Sequence, residues 1–158
     1  MRTWVDASTV IALDSIGEVA VLQELVGRVS LTPEVAAEVF SGRESEALAR
    51  ARGSRLEILR VAGNRHRWEA LGLGTGEASL FLTPKRDRLV LDEVPARVVA
   101  ESEGRQYVGL LGLLLGGVQR GIIARDRARQ ILRRLGQSGF RMTTEFYDEA
   151  MEQLGGLP

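Results

Sequence analysis

At 158 residues, with 44% hydrophobic and 27% charged side chains, the chain has the size and make-up of one globular domain with a real core. It contains no cysteine and a single histidine, His66. That excludes a disulfide framework, thiolate metal sites and multi-histidine zinc sites, so metal chemistry here would use oxygen ligands, which suits magnesium or manganese. The 21 basic and 21 acidic residues cancel, and the basic excess that usually marks non-specific nucleic-acid binding is missing.

In chain order, Arg2 to Val5 read as a short strand ending at Asp6, followed by helices over Ser8 to Leu13 and Glu18 to Val26. Val29 to Leu31 form a second strand. Thr32-Pro33-Glu34 is a helix start: a capping hydroxyl, proline at the first helical position and an acid facing the positive helix end. That helix runs to about Phe40, and another spans Glu44 to Arg52, stopped by Gly53. Leu56 to Leu59 read as an edge strand. Gly72 to Gly76 read as a flexible loop, and Gly63 to Gly76 as the best candidate for a mobile segment. A helix over Glu77 to Leu82, a buried parallel strand over Leu89 to Leu91 and a helix through Glu101 follow. Tyr107-Val108 give a last strand. Helices at about Leu110 to Arg120, Arg125 to Leu135 and Thr144 to Leu154 complete the chain, with Gly121 and Gly136 as expected C-terminal caps. Alternating strands and helices predict a parallel sheet wrapped by helices in one domain, residues 1–158. The longest apolar run, Tyr107 to Val118, has 12 residues including four glycines, too short to span a bilayer. A charged position, Asp6, follows almost at once after the N-terminus, so no signal peptide and a cytoplasmic location are expected.

Sites in open parallel sheets lie beyond the carboxyl ends of the strands. Asp6 ends the first strand there, and Asp92 and Glu93 follow the apolar run Leu89 to Leu91. Glu38 and Glu77 lie on helices entering the same edge. Each has a plainer reading: Asp6 and Asp92 or Glu93 as helix caps, Glu38 as a solvated helix acid, Glu77 as a first-turn dipole partner, as Glu34 is read. Their joint placement is the argument for function. Two carboxylates about 4 Å apart repel by roughly 4 kcal/mol at an effective dielectric of 20. A fold that gathers four needs a cation or protonation to offset that cost, and hard oxygen ligands around magnesium answer it.

These residues carry a family resemblance. "WVDASTVIAL" resembles the opening strand and helix of PIN domains, with Asp6 and Ser8 at the aspartate and small-hydroxyl positions. "LTPEVAAEV" resembles the second block, Glu38 filling its acidic position. "LGTGEASLFL", with Thr75 and Gly76-Glu77, and "LVLDEVPARVVAE", with Asp92 and Ala96-Arg97, resemble the third and fourth blocks of one prokaryotic subgroup. "GLLGLLLGGVQRGII" resembles the glycine-spaced helix that comes next. The resemblance implies a Rossmann-like three-layer α/β/α fold with a short, mainly parallel sheet. It also implies a magnesium- or manganese-dependent ribonuclease, often the toxin half of a VapBC-type toxin–antitoxin pair and a homodimer. Carried over residue by residue, it implies catalytic Asp6, Glu38, Glu77 and Asp92, metal contact by these and Glu93, and substrate contact by Ser8, Thr75 and Arg97. The chain departs from the family at Glu93, where a second aspartate is common.

Other readings stay open on the residues alone. An aspartate after a strand also serves haloacid-dehalogenase-like phosphatases, but Ser8 stands where their second acid belongs. Gly72 to Gly76 lack the lysine-threonine ending of a phosphate-binding loop. A PIN fold that binds RNA or protein without cutting is compatible with neutral charge and with Glu93. Arg97 is placed to swing back to the acids, to meet a phosphate, or to pair with Glu101. His66 reads as a loop histidine, Trp4 and Trp68 as core or interface residues, and the leucine-rich helices beyond residue 110 as core or partner surface.

Overall fold

The computed structural model describes residues 1–41 and 45–156. Five short strands, β1 (Thr3–Val5), β2 (Val29–Leu31), β3 (Leu56–Ile58), β4 (Arg88–Val90) and β5 (Tyr107–Val108), form one sheet in the order β3-β2-β1-β4-β5. Every pairing is parallel, so the sheet is wholly rather than mainly parallel. Helices cover both faces, as parallel strands buried on both sides require, giving the expected three layers. Val5, Val29, Leu31, Leu89 and Val90 are fully buried in the sheet. β3 is an edge strand, as its mixed sequence predicts. The chain moves outward from β1 to β2 and β3, then returns past β1 to β4 and β5. The strand order therefore reverses between β1 and β4, and the crevice at such a switch point is where open α/β sheets place their sites.

The helices are α1 (Ala7–Ser15), α2 (Val19–Val26), α3 (Pro33–Val39), α4 (Glu46–Arg52), α5 (His66–Glu69), α6 (Thr75–Leu80), α7 (Val94–Ser102), α8 (Leu110–Gln119), α9 (Arg125–Gln137) and α10 (Thr144–Gly155). Local chemistry sets several boundaries. Thr32 caps α3 by accepting the Val35 N–H, with Pro33 at the first position. Thr143 caps α10 in the same way. The expected start of the fourth helix at Glu44 lies outside the described residues; Ser45 caps α4. Gly121, at φ +71°, follows α8 as expected. Gly136 does not terminate α9: it lies inside the helix, and Gly139, at φ +89°, makes the turn instead.

Two further expectations are corrected. Gly76 is not part of a loop but lies in α6, with Gly74 at its N-cap. The stretch from Gly63 to Gly76 contains α5 and is fastened to the core. Trp68 stacks on Phe81 at 6.1 Å between ring centroids, its Nε1–H donates to Glu103 at 2.8 Å, and Leu73 is buried. The leucine-rich C-terminal helices are largely satisfied within the chain: Leu110, Leu113, Leu114, Ile131, Leu132, Leu135, Ala150 and Leu154 are all buried, while Phe146 on α10 stays exposed. Gly117 lets α8 approach α2, since a side chain there would collide with Leu25. In the arginine-rich stretch, Arg127 pairs with Glu18 and Glu24, and Arg134 with Glu18, tying α9 to the start and body of α2. No described helix is long and apolar enough to cross a membrane.

Candidate active site

Asp6 leaves β1 and becomes the N-cap of α1, with extended backbone at φ −73° and ψ 160°. Its plainer reading as a cap is thus correct, and the cap sits at the switch point. Its carboxylate is 3% exposed and accepts three hydrogen bonds: Thr9 N–H to Oδ1 at 3.0 Å, Ser8 hydroxyl to Oδ2 at 3.1 Å, and Asp92 N–H to Oδ2 at 3.0 Å. The last bond crosses from the end of β4 to the end of β1 and fixes the two strand ends together.

Asp92 is held as firmly. Its Oδ2 accepts the Thr9 hydroxyl at 2.5 Å. Its Oδ1 accepts the Leu110 N–H at 3.0 Å and the Arg97 guanidinium at 3.2 Å. Asp92 therefore caps α8, whose own N-cap residue, Gly109, has no side chain to do so. Glu93 occupies the N-cap position of α7 but makes no side-chain capping bond, leaving its carboxylate uncommitted. Arg97 folds back on the cluster: besides Asp92, its Nε–H donates to the Leu91 carbonyl at 2.7 Å. A side chain at position 109 would collide with the Arg97 guanidinium, so this arrangement requires glycine there.

α3 and α6 bring the other two acids. The Thr32 and Ser79 hydroxyls meet at 2.7 Å and join the two helices. Glu38 lies across Gly76: a Cβ there would be 2.5 Å from Glu38 Oε1. Glu77 is next along α6, half-buried in its first turn. Glu34 stands apart and pairs with Arg65 at 3.3 Å. Thr75 is exposed at the first position of α6. His66 is exposed, as a surface histidine, but lies at the start of α5 and not in a loop; Trp4 is buried with its Nε1–H donating to Asp87 at 2.9 Å, which fits its reading as a core residue.

The electrostatics join these acids into one group. Burial first, and then the charge of Asp92, push the Asp6 carboxyl up from 3.8 to about 6, against the pull of its hydrogen bonds. Burial also raises Glu77, reinforced by Glu93, Asp6 and Glu38. Carboxylates at the ends of β1 and β4 and on α3 and α6 thus bear on one another, and the ion pair within the cluster is Arg97 with Asp92. Among the described residues no three acids stand close enough to form a ready-made metal cage. The donor set is nevertheless all oxygen, which suits a hard divalent cation, and a bound cation would offset both the burial and the like charge that raise Asp6 and Glu77.

Two features escaped the sequence reading. Thr9 bridges Asp6 through its N–H and Asp92 through its hydroxyl; its place three residues after a strand-end aspartate, in the first helical turn, was the available signal. The other is the loop Ser138 to Arg141 between α9 and α10, which with Ser8, Asp92 and Glu93 borders a cleft of about 380 Å³ beside the acids. Nothing local in the sequence announces that juxtaposition.

A wholly parallel α/β sandwich, with acids at the switch point of its sheet, is a PIN-like architecture. Residues 3–156 match the DUF3368 family model, described as a PIN domain, and the chain belongs to that family. No curated protein and no solved structure matches it. PIN domains are in general nucleases that use divalent metal ions on RNA or DNA.

Proposed function

We propose that the chain is a magnesium- or manganese-dependent endoribonuclease in which Asp6, Glu38, Glu77 and Asp92 are the catalytic carboxylates and Glu93 a further metal contact. The observation that supports this best is the placing of acids from separate elements at the switch point, where burial first and the neighbouring carboxylates second raise both Asp6 and Glu77. Capping accounts for Asp6 and Asp92, but gives no reason for Glu38, Glu77 and Glu93 to add like charge beside them. When bound, a divalent ion supplies the missing positive charge and polarises phosphate and water. The two aspartates are preset: Thr9, the Asp92 N–H, the Leu110 N–H and Arg97 fix their orientation. Glu38, Glu77 and Glu93 have longer stems, and at least one must turn inward to complete a coordination shell, since no described trio is closely gathered. Ser8 and Thr75 stand at the rim as substrate contacts. Arg97, fastened to Asp92 and Leu91, serves to position Asp92 rather than to reach for a phosphate.

At finer grain, the "GE" and "LDE…AR" blocks support a VapC-like toxin, held by an antitoxin protein and acting as a homodimer in the cytoplasm. One observation favours a second reading, an RNA- or protein-binding module that cuts weakly or not at all: the acids are not pre-gathered. The test is cleavage of structured and single-stranded RNA by purified wild type, Asp6→Asn and Asp92→Asn. Wild type should cut with magnesium or manganese and not with EDTA or calcium. Each variant should lose at least about a hundredfold, roughly 2.7 kcal/mol of transition-state stabilisation. Equal degradation by all three proteins would assign the activity to a contaminant, and absence of manganese binding by calorimetry would favour the second reading.

A further inference from the structure

The cleft beside the acids has a composition that the carboxylates do not explain. It is lined by Ser8 and Ile11 of α1, by Asp92 and Glu93 after β4, and by Phe140 and Arg141 of the α9–α10 loop. Ile11 is 46% exposed although large and apolar. Phe140 is half-buried against the core, which fixes its ring. Arg141 is exposed and makes no hydrogen bond or ion pair to a described residue. This contrasts with Arg97, Arg127 and Arg134, whose guanidinium groups are engaged by acids. A cation in a cleft lined by two carboxylates, yet bonded to neither, remains available to an anion.

We infer that this cleft is a single-strand subsite in which Arg141 holds a phosphate next to the scissile one while Phe140 and Ile11 offer the flanking base an apolar wall. The inference rests on the nuclease reading for what lies at the acids, and adds where the strand leaves them. Arginine suits a phosphate because its planar fork donates two parallel hydrogen bonds. An aromatic beside a cationic side chain is the usual platform for unpaired bases, tolerant of sequence because every base has a π-face. The volume of about 380 Å³ lies near the lower end of small-molecule sites, roughly 300–1,000 Å³. It accepts a splayed nucleotide and not a stacked duplex. A mobile strand held at one neighbouring phosphate would be oriented at the acids without any large basic surface, which reconciles a neutral chain with a polyanionic substrate.

The test is fluorescence anisotropy of a labelled oligouridylate in the presence of calcium, which should not support cutting, so that binding is read without cleavage. Arg141→Ala should weaken binding roughly tenfold and flatten the salt dependence of log Kd by about 0.7, one single-strand phosphate contact. Arg141→Lys should retain most of the affinity and little of the geometric precision, lowering cleavage more than binding. Arg86→Ala, which removes the same charge from the exposed residue before β4 at the opposite edge of the sheet, should change neither. Phe140→Ala should weaken single-strand binding while a duplex of the same length competes poorly throughout. Melting temperature of Arg141→Ala should equal that of wild type, because the residue is exposed and unpaired. Equal affinity and salt slope in Arg141→Ala and wild type, or an equal loss in Arg86→Ala, would overturn the subsite. Failure of wild type to cleave RNA, with the Arg141 effect on binding intact, would instead overturn the nuclease reading alone.

Discussion

Removing the charge of Asp6 should stabilise the metal-free protein, although it disables the site. The carboxyl is almost wholly buried and its folded value is about 6 against an ordinary 3.8. A folded state that holds this proton more tightly than the unfolded chain gains stability as pH falls. The contribution is fully present below about 3.8 and is lost as pH rises through about 6. A shift of that size corresponds to about 3 kcal/mol, or roughly 6–12 °C in melting temperature for a domain of this length. Asp6→Asn removes the charge while keeping an oxygen to accept the Thr9 N–H. The Ser8 hydroxyl and the Asp92 N–H, which both bond Oδ2, then face the amide nitrogen; the hydroxyl can turn to accept from it, but the Asp92 N–H loses its acceptor, and the two changes take back about 1–2 kcal/mol. The expected net at pH 7 in EDTA is a gain of about 1–2 kcal/mol, fading towards zero or reversing near pH 4. Urea unfolding of wild type and Asp6→Asn at several pH values in EDTA measures it. The wild type should become more stable between pH 7 and pH 5 by a margin that the variant lacks. Parallel pH profiles for the two proteins would refute the claim that burial and Asp92 hold Asp6 in a costly ionised state.

Three further substitutions separate positioning from structure. Arg97→Ala should cost about 1–2 kcal/mol of stability, the worth of charge-assisted hydrogen bonds partly open to water. It should lower kcat with little change in KM; a rise in KM at constant kcat would show that Arg97 meets substrate instead. Gly76→Ala should leave stability within about 0.5 kcal/mol, because only the flexible, exposed Glu38 side chain need move. It should still weaken manganese binding measured by calorimetry, and unchanged affinity would remove Glu38 from the site. Asp87→Asn should destabilise by about 1–3 kcal/mol. Burial raises the Asp87 carboxyl, but the Trp4 indole, the Arg2 N–H and nearby positive charge outweigh it and hold the carboxyl below its ordinary 3.8. That stability is present above 3.8 and lost as pH falls further, a window distinct from that of Asp6, and an acid melt below pH 4 that is identical in Asp87→Asn would contradict it.

What the sequence made legible is what local physics encodes. The run Thr3 to Val5 ending in an acid, the Thr32-Pro33 helix start and the turn at Gly121 each depend on neighbours within a few residues, and each lies where its local signal puts it. The placement of Asp6 and Asp92 at carboxyl strand ends on one edge of the sheet followed from the alternation of strands and helices; that their strands are neighbours came only from the fold. What stayed hidden depends on contacts across the fold. Gly76 reads as a loop glycine until α3 is laid against it with Glu38 above. Gly136 reads as a cap until Tyr147 and Met142 of the neighbouring segment pack against it, with the positive-φ turn deferred to Gly139. The stretch around Trp68 reads as mobile because its glycines are visible and its anchors, Phe81 and Glu103, are distant in sequence. Arg97 had three local options, and the fold turns it back on Asp92 and the Leu91 carbonyl, contacts that no local signal announces.

The same contacts explain why the acids of this site divide into two kinds. Asp6 caps α1 and Asp92 caps α8, so the fold needs their oxygens at those positions whether or not a metal is bound. Glu38, Glu77 and Glu93 make no side-chain hydrogen bond to a described residue and are free of such duties. A site built this way has a fixed half, set by backbone N–H groups and Thr9, and an adjustable half on long stems. The fixed half accounts for the choice of aspartate: its short stem keeps the carboxylate within reach of the N–H groups at its own helix start, which a glutamate would overshoot. Under the proposed function the adjustable half would also accommodate glutamate at position 93, since a residue not engaged in capping would be free to take whichever stem length reaches a bound ion. Substitution by alanine in the fixed half therefore confounds function with a lost cap, worth about 1 kcal/mol, whereas asparagine keeps the capping oxygen. Comparing Asp6→Ala with Asp6→Asn isolates the cap, and comparing Asp6→Asn with Glu77→Gln isolates the charge.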